Sequence, residues 1–122
     1  MAKAKRNQQR ERRIEQEIVA DAHDAEERAM GWYSCLEERL RFPFPGNCIA
    51  ARAISPLGKG QEAEAVGLAP AGECEHEMFV MITWEDPTLA VPLAQLEAIH
   101  ADKTTRQAVE DWHYWVEQGY EF

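Results

Sequence analysis

The stretch EERAMGWYSCLEERLRFPFPGNC, residues 26–48, changes its pattern halfway along, and that change decides the fold. In its first half Ala29, Trp32, Tyr33, Leu36 and Leu40 fall on one stripe of a 3.6-residue wheel, which predicts an amphipathic helix packed on a core. Asp24 followed by Glu27 has capping-box spacing and opens this helix, and Pro43 stops it after about Leu40. Glu37 lies at the edge of the stripe beside Met30, whereas Glu38 projects with Ser34, Gly31 and Glu27 from the far side. The run Phe42-Pro43-Phe44-Pro45-Gly46 then ends the helical period.

Downstream the period shortens to that of strands. Cys48–Ile54, Glu62–Leu68, His76–Trp84 and Thr88–Leu93 read as β-runs, separated by Ser-Pro, Gly-Lys-Gly, Ala-Pro-Ala-Gly and Glu-Asp-Pro turns. Met78, Val80, Ile82 and Trp84 supply one inward face, and Phe79 and Met81 leave the other apolar enough to be covered by helices. Leu93–Ile99 has the look of a 3₁₀ turn and a terminal strand closing a small barrel. A last helix starts near Asp102 to Thr104 and runs to Gln118, with Gly119 as its cap and Ala108, Val109, Trp112, Trp115 and Val116 as its buried stripe. Upstream, Ile14, Ile18, Val19 and Ala22 predict a short helix from Arg12 to about His23. The expected architecture is α+β: an N-terminal helical hairpin, an SH3-like antiparallel barrel or meander of four or five strands, and a C-terminal helix.

With 122 residues the chain suits one domain, and its core needs no disulfide or structural metal as a support. The formal charge of −9 is unevenly spread: the first 13 residues carry +5, which leaves −14 on the other 109. Residues 1–10 are expected to be a disordered basic arm, and 11–122 a single acidic domain. An acidic body repels phosphate backbones, which argues against a nucleic-acid partner for everything except the short basic arm, and it attracts cations. Carboxylates are the oxygen ligands a hard cation such as Ca²⁺ takes, six to eight of them at about 2.3–2.6 Å. The same charge also serves solubility alone. Cys35, Cys48 and Cys74 are widely spaced with no CxxC, which fits a reducing cytoplasm, and no apolar run reaches the roughly 20 residues of a membrane span.

RIEQEIVADAH (13–23), the quoted helix, RAISPLGKGQEAEAVGLAP (52–70), HEMFVMITWED (76–86), LAVPLAQLE (89–97) and DWHYWVEQGYEF (111–122) together resemble the small acidic calcium-binding proteins of the CcbP type, known from cyanobacteria. The resemblance covers nearly everything after Arg13. It implies a non-EF-hand calcium buffer or sensor and not an enzyme. Its best-matching motif is Trp32 to Glu38, an aromatic-rich helix followed by an acidic pair, with Ser34 and Cys35 where tyrosines are common and Glu38 where Asp is also seen.

The residues themselves contain no D-x-[DN]-x-[DN]-G loop, so any calcium site is assembled from separate segments. Glu37 and Glu38 stand at a helix end that offers free carbonyls and the negative end of the dipole. Glu73, Glu75 and Glu77 enter the long strand, where alternation places them on one side if the strand begins early; Glu85 and Asp86 lie in the turn leaving it; Asp21 and Asp24 form a second cluster between the first two helices. Against this stands the plainer reading that these acids are solvated and Asp24 is a helix cap. Cys74-x-His76 with Cys48 or Cys35 is a loose zinc pattern, better read as buried thiols. Glu110, His113 and Glu117 have E-x-x-H spacing without a second copy, better read as a solvated stripe. No nucleophile elbow or phosphate loop is present. The alternative to a calcium protein is a non-catalytic SH3-like interaction module that takes an unidentified basic protein on its acidic surface, anchored around Trp84 or Trp112.

Overall fold

A computed structural model describes residues 7–85, 87–120 and 122. In chain order it has α1 (Gln8–Arg13), a π-helical turn (Ile14–Ile18), α2 (Ala25–Arg39), β1 (Phe44–Cys48), β2 (Glu62–Leu68), a 3₁₀ turn (Ala71–Glu73), β3 (Phe79–Thr83), β4 (Thr88–Pro92), a second 3₁₀ turn (Leu93–Gln95), β5 (Leu96–Ala98) and α3 (Lys103–Glu117). The α+β class with helices at both ends is as the sequence predicts. The strands pair antiparallel in the order β4-β3-β2-β1-β5. β4 and β5 are the outer strands of this sheet and do not pair with each other, so the expected barrel is an open one.

Helix α2 behaves as its caps dictate. The Asp24 carboxylate accepts from the Glu27 N–H at 2.9 Å, and Glu27 reaches back to accept from the His23 N–H at 2.9 Å. Trp32 and Leu36 are wholly buried, and Trp32 meets Trp112 of α3 edge-on, with ring centroids 5.0 Å apart. Asp102 caps α3 in the same way through the Thr105 N–H at 2.7 Å, and Gly119, at φ 83°, ends it. The hydrogen bond from Thr105 holds the exposed Asp102 carboxyl below its ordinary pKa.

Three boundaries and one buried face differ from expectation. The first helix begins at Gln8 because the Asn7 side chain caps it, accepting from the Arg10 N–H at 3.0 Å. The end of the expected arm is therefore ordered from Asn7, while residues 1–6 lie outside the described residues. The first strand is Phe44–Cys48 and not Cys48–Ile54, for Phe44 is buried and stacks on Phe42. The Pro-Gly pair that reads as a break fits inside it: Pro45 contributes only its carbonyl, to the Ile99 N–H, and a Cβ on Gly46 would lie 3.3 Å from Leu96 Cδ2. β3 starts at Phe79 and not His76, with Cys74 folded inward so that Glu73 and Glu75 stay in water. Its inward face is Met78, Val80 and Ile82, all fully buried, each side chain worth about 1.5–3 kcal/mol of transfer free energy; Trp84, beyond the strand, is only half-buried. On α3, Val116 is exposed and Asp111 takes its place in the buried face.

Candidate metal centre

The last turn of α2 is the element on which the acidic pair depends. Leu40 leaves the helix with extended backbone, φ −76° and ψ 127°, and its N–H closes on Leu36 O. The next N–H, that of Arg41, turns away to Thr105 Oγ1 at 3.0 Å, and Pro43 has none. The end of α2 thus lacks the Arg41 N–H as a donor for its last carbonyls, which are oxygens of the kind a hard cation takes. The end of α3 is different: Gln118, Gly119 and Tyr120 donate back to Tyr114, Val116 and Trp115.

Glu37 and Glu38 are both exposed there, on different sides of the helix. Glu37 acts on Tyr33, whose phenol is pushed up by burial and further by Cys74 and Glu37 while it donates to Ala69 O at 2.8 Å. Glu38 acts on Cys35, whose thiol burial pushes up to about 11; Arg39 opposes this, and Asp111, Glu38 and Glu17 add to it. Arg39 in turn pairs with Glu17 at 2.7 Å. The pair therefore looks two ways, as its helical spacing requires.

Asp21 sits in the interhelical turn with φ 62°, a left-handed conformation that Asp tolerates, and Asp24 is the cap of α2. Glu73 ends the 3₁₀ turn after β2, and Glu75 follows it in the bend that leads to β3. Glu85, at φ 56°, lies in the β3–β4 turn closed by Trp84 N–H to Pro87 O; Asp86 lies outside the described residues. The alternation expected to align Glu73, Glu75 and Glu77 is not formed, and Glu77 pairs with Arg52 at 2.5 Å. Among the described residues no three His, Cys, Asp or Glu side chains converge as a metal cluster. The donor chemistry fits a hard cation, since the acids and the helix-end carbonyls are all oxygen, but the acids stand on four separate segments.

What the structure does bring together is a groove of about 910 Å³ between α2 and the Ala71–Glu73 turn. Glu26 and Glu75 line it with Met30, Tyr33, Cys74 and His76. Glu26 was not singled out by sequence, although its place one turn before Met30 is the signal that would find it. The zinc pattern is not assembled: Cys35, Cys48 and Cys74 are free and buried. His113 contacts Leu93 O at 3.3 Å, and Glu110 and Glu117 are exposed. Among the described residues no helix is long and apolar enough to cross a membrane.

Residues 12–116 match the family model Calci_bind_CcbP, described as calcium binding. Two solved structures resemble the fold over 100% of this chain and 100% of their own. One is the crystal structure of Anabaena CcbP, 41% identical with a TM-score of 0.87. The other is a calcium-binding protein in the calcium-binding form, 40% identical with a TM-score of 0.86. No curated protein sequence matches the chain. With the family model spanning nearly the whole domain, and the fold and two-fifths of the residues shared end to end, the chain belongs to the calcium-binding CcbP family.

Proposed function

We propose that the protein is an intracellular Ca²⁺ buffer or sensor that binds the ion through carboxylate sites without an EF-hand, and that it catalyses no reaction. The observation that carries this reading is the full-length likeness to a protein in its calcium-binding form, at 40% identity. Glu37 and Glu38 are the acids we assign first, because a helix end with spare carbonyls supplies several oxygens from few residues. Glu73 and Glu75 are their loop partners, while Asp21 with Asp24, and Glu85 with Asp86, are the remaining candidates. All the described members of this set are exposed, so their side chains can reorient on binding without disturbing the core.

When bound, the ion would relieve the repulsion within a body that carries −14. The three buried, unpaired thiols support a reducing compartment, which we take to be the cytoplasm. Calorimetric titration with Ca²⁺ in excess Mg²⁺ tests the reading. Saturable binding at micromolar Ca²⁺ is expected, and absence of binding at millimolar Ca²⁺ would overturn it.

A further inference from the structure

Met30 is 63% exposed on a helix whose Trp32 and Leu36 are wholly buried. It stands in the groove between α2 and the Ala71–Glu73 turn, over a floor that includes Ala29, Tyr33, Ala71 and Cys74. Glu26 and Glu75 lie at the rim, and no lysine or arginine is among the described lining residues. An apolar patch rimmed by polar groups marks an interaction surface, and methionine is the side chain that adapts best to a partner's shape. The geometry points to this groove as the docking site for an amphipathic helix of a partner protein, one that carries lysines or arginines flanking its apolar stripe.

Three features select that occupant. The groove follows α2 from Ala25 to Ser34, about 14 Å at the helical rise, which suits two to three turns of a second helix. Its helical wall offers side chains and no strand edge, and the outer strands β4 and β5 do not line it. An occupant must then satisfy its own backbone groups, as a helix does. The rim acids on a body of −14 favour a cationic segment, whereas a second copy of this chain would bring the same acids and be repelled. The inference goes beyond calcium binding, since Met30, Ala29 and Ala71 offer no side-chain oxygen to an ion.

The test is a fluorescence titration of the full chain, in chelator, with a lysine–leucine peptide of about 14 residues whose leucines fall at i, i+3, i+4 and i+7. A peptide of the same composition with dispersed leucines is the comparison, and the facial peptide is expected to bind about tenfold more tightly. Met30→Glu is decisive because two explanations give it opposite signs. Added negative charge tightens a merely electrostatic association, whereas docking on Met30 is weakened about tenfold. Ile54→Glu adds the same charge at another exposed apolar residue, 61% exposed on the β1–β2 connection, and should alter binding by less than about twofold. Circular dichroism should find both variants folded, both sites being exposed. Unchanged or tighter binding by Met30→Glu, or no preference for the facial peptide, would overturn the inference. Sedimentation showing self-association that Met30→Glu abolishes would give the groove to a second copy and overturn it as well.

Discussion

The carboxylate of Asp111 is wholly buried in the face of α3 and accepts two hydrogen bonds from the Arg13 guanidinium, at 3.0 and 2.6 Å. Arg10 approaches the same carboxylate at 3.1 Å, so α1 is fastened to α3 by charge across 98 positions of sequence. The bond to Asp111 raises Arg13's pKa, although burial opposes it. Arg13 remains 22% exposed while Asp111 is not exposed at all, and the two ends of the pair are therefore unequal. Arg13→Met leaves a buried carboxylate with only Arg10 to answer it and should cost about 2–4 kcal/mol; Asp111→Asn leaves a cation that reaches water and should cost about 1–2 kcal/mol. Urea unfolding of the two variants checks the order, which is the informative part.

Gly31 lies where α2 crosses the end of the π-helical turn. A Cβ there would stand 2.3 Å from Ile18 O, a backbone atom that cannot move without unseating Ile18 from the core. Alanine gains about 1 kcal/mol of helix propensity over glycine, and the clash outweighs it, so Gly31→Ala should lose roughly 1–3 kcal/mol net. Gly72→Ala, which meets nothing within 4 Å, should leave the thermal midpoint nearly unchanged.

These two contacts also mark what the sequence could and could not tell. Caps speak locally, and Asp24, Asp102 and Gly119 place both long helices correctly from spacing alone. β2 needs no correction because Gly and Pro bound it on both sides. β1 was misplaced because Pro45-Gly46 carries a turn signal, whereas its place in the sheet depends on Leu96 and Ile99 far along the chain. Asp111 could not be read as buried, since Arg13 and Arg10, about a hundred positions away, are what make that burial tolerable. Acidic positions can be listed from the sequence, but how the chain sets them relative to one another cannot, because that depends on loops whose course no short pattern fixes.

Burial raises the Cys35 thiol to about 11, and this gives an alkaline signature. A thiol whose folded pKa lies above its unfolded value contributes stability that is fully present below the unfolded pKa. That contribution is lost as pH rises from about 9 through about 11. Stability should fall over this window, and Cys35→Ala, though less stable throughout from the cavity it leaves, should show a shallower slope. Equilibrium urea unfolding at pH 8 and pH 10.5 checks the difference. In the native state at pH 8 the thiol should also react slowly with a disulfide reagent.

The core joins the π-helical turn, α2, α3 and the sheet into one cluster of buried apolar side chains. Chelated protein should therefore melt cooperatively, and Ca²⁺ should raise the midpoint by mass action, by about 2.7 kcal/mol at a hundredfold excess over Kd. Differential scanning calorimetry with and without chelator makes the comparison. Loss of the cooperative transition in chelator would turn the ion into a structural one.

Glu38→Gln and Glu117→Gln isolate what a helix end contributes to a cation site. Glu38 is the penultimate residue of α2 and Glu117 the last of α3, so both are exposed carboxylates at the negative end of a dipole. Removing either charge should stabilise the calcium-free protein by a few tenths of a kcal/mol, at most about 1 kcal/mol. They differ in their neighbours' carbonyls. Those of α3 are taken by the N–H groups of Gln118, Gly119 and Tyr120, whereas at α2 the Arg41 N–H is diverted to Thr105. If the proposed site is right, Glu38→Gln should weaken Ca²⁺ about tenfold, or about 1.4 kcal/mol. Glu37→Gln should do the same or somewhat less, and Glu117→Gln should do almost nothing. Calorimetric titration of the three variants separates this from long-range attraction by the acidic body, which would make the three losses equal and small.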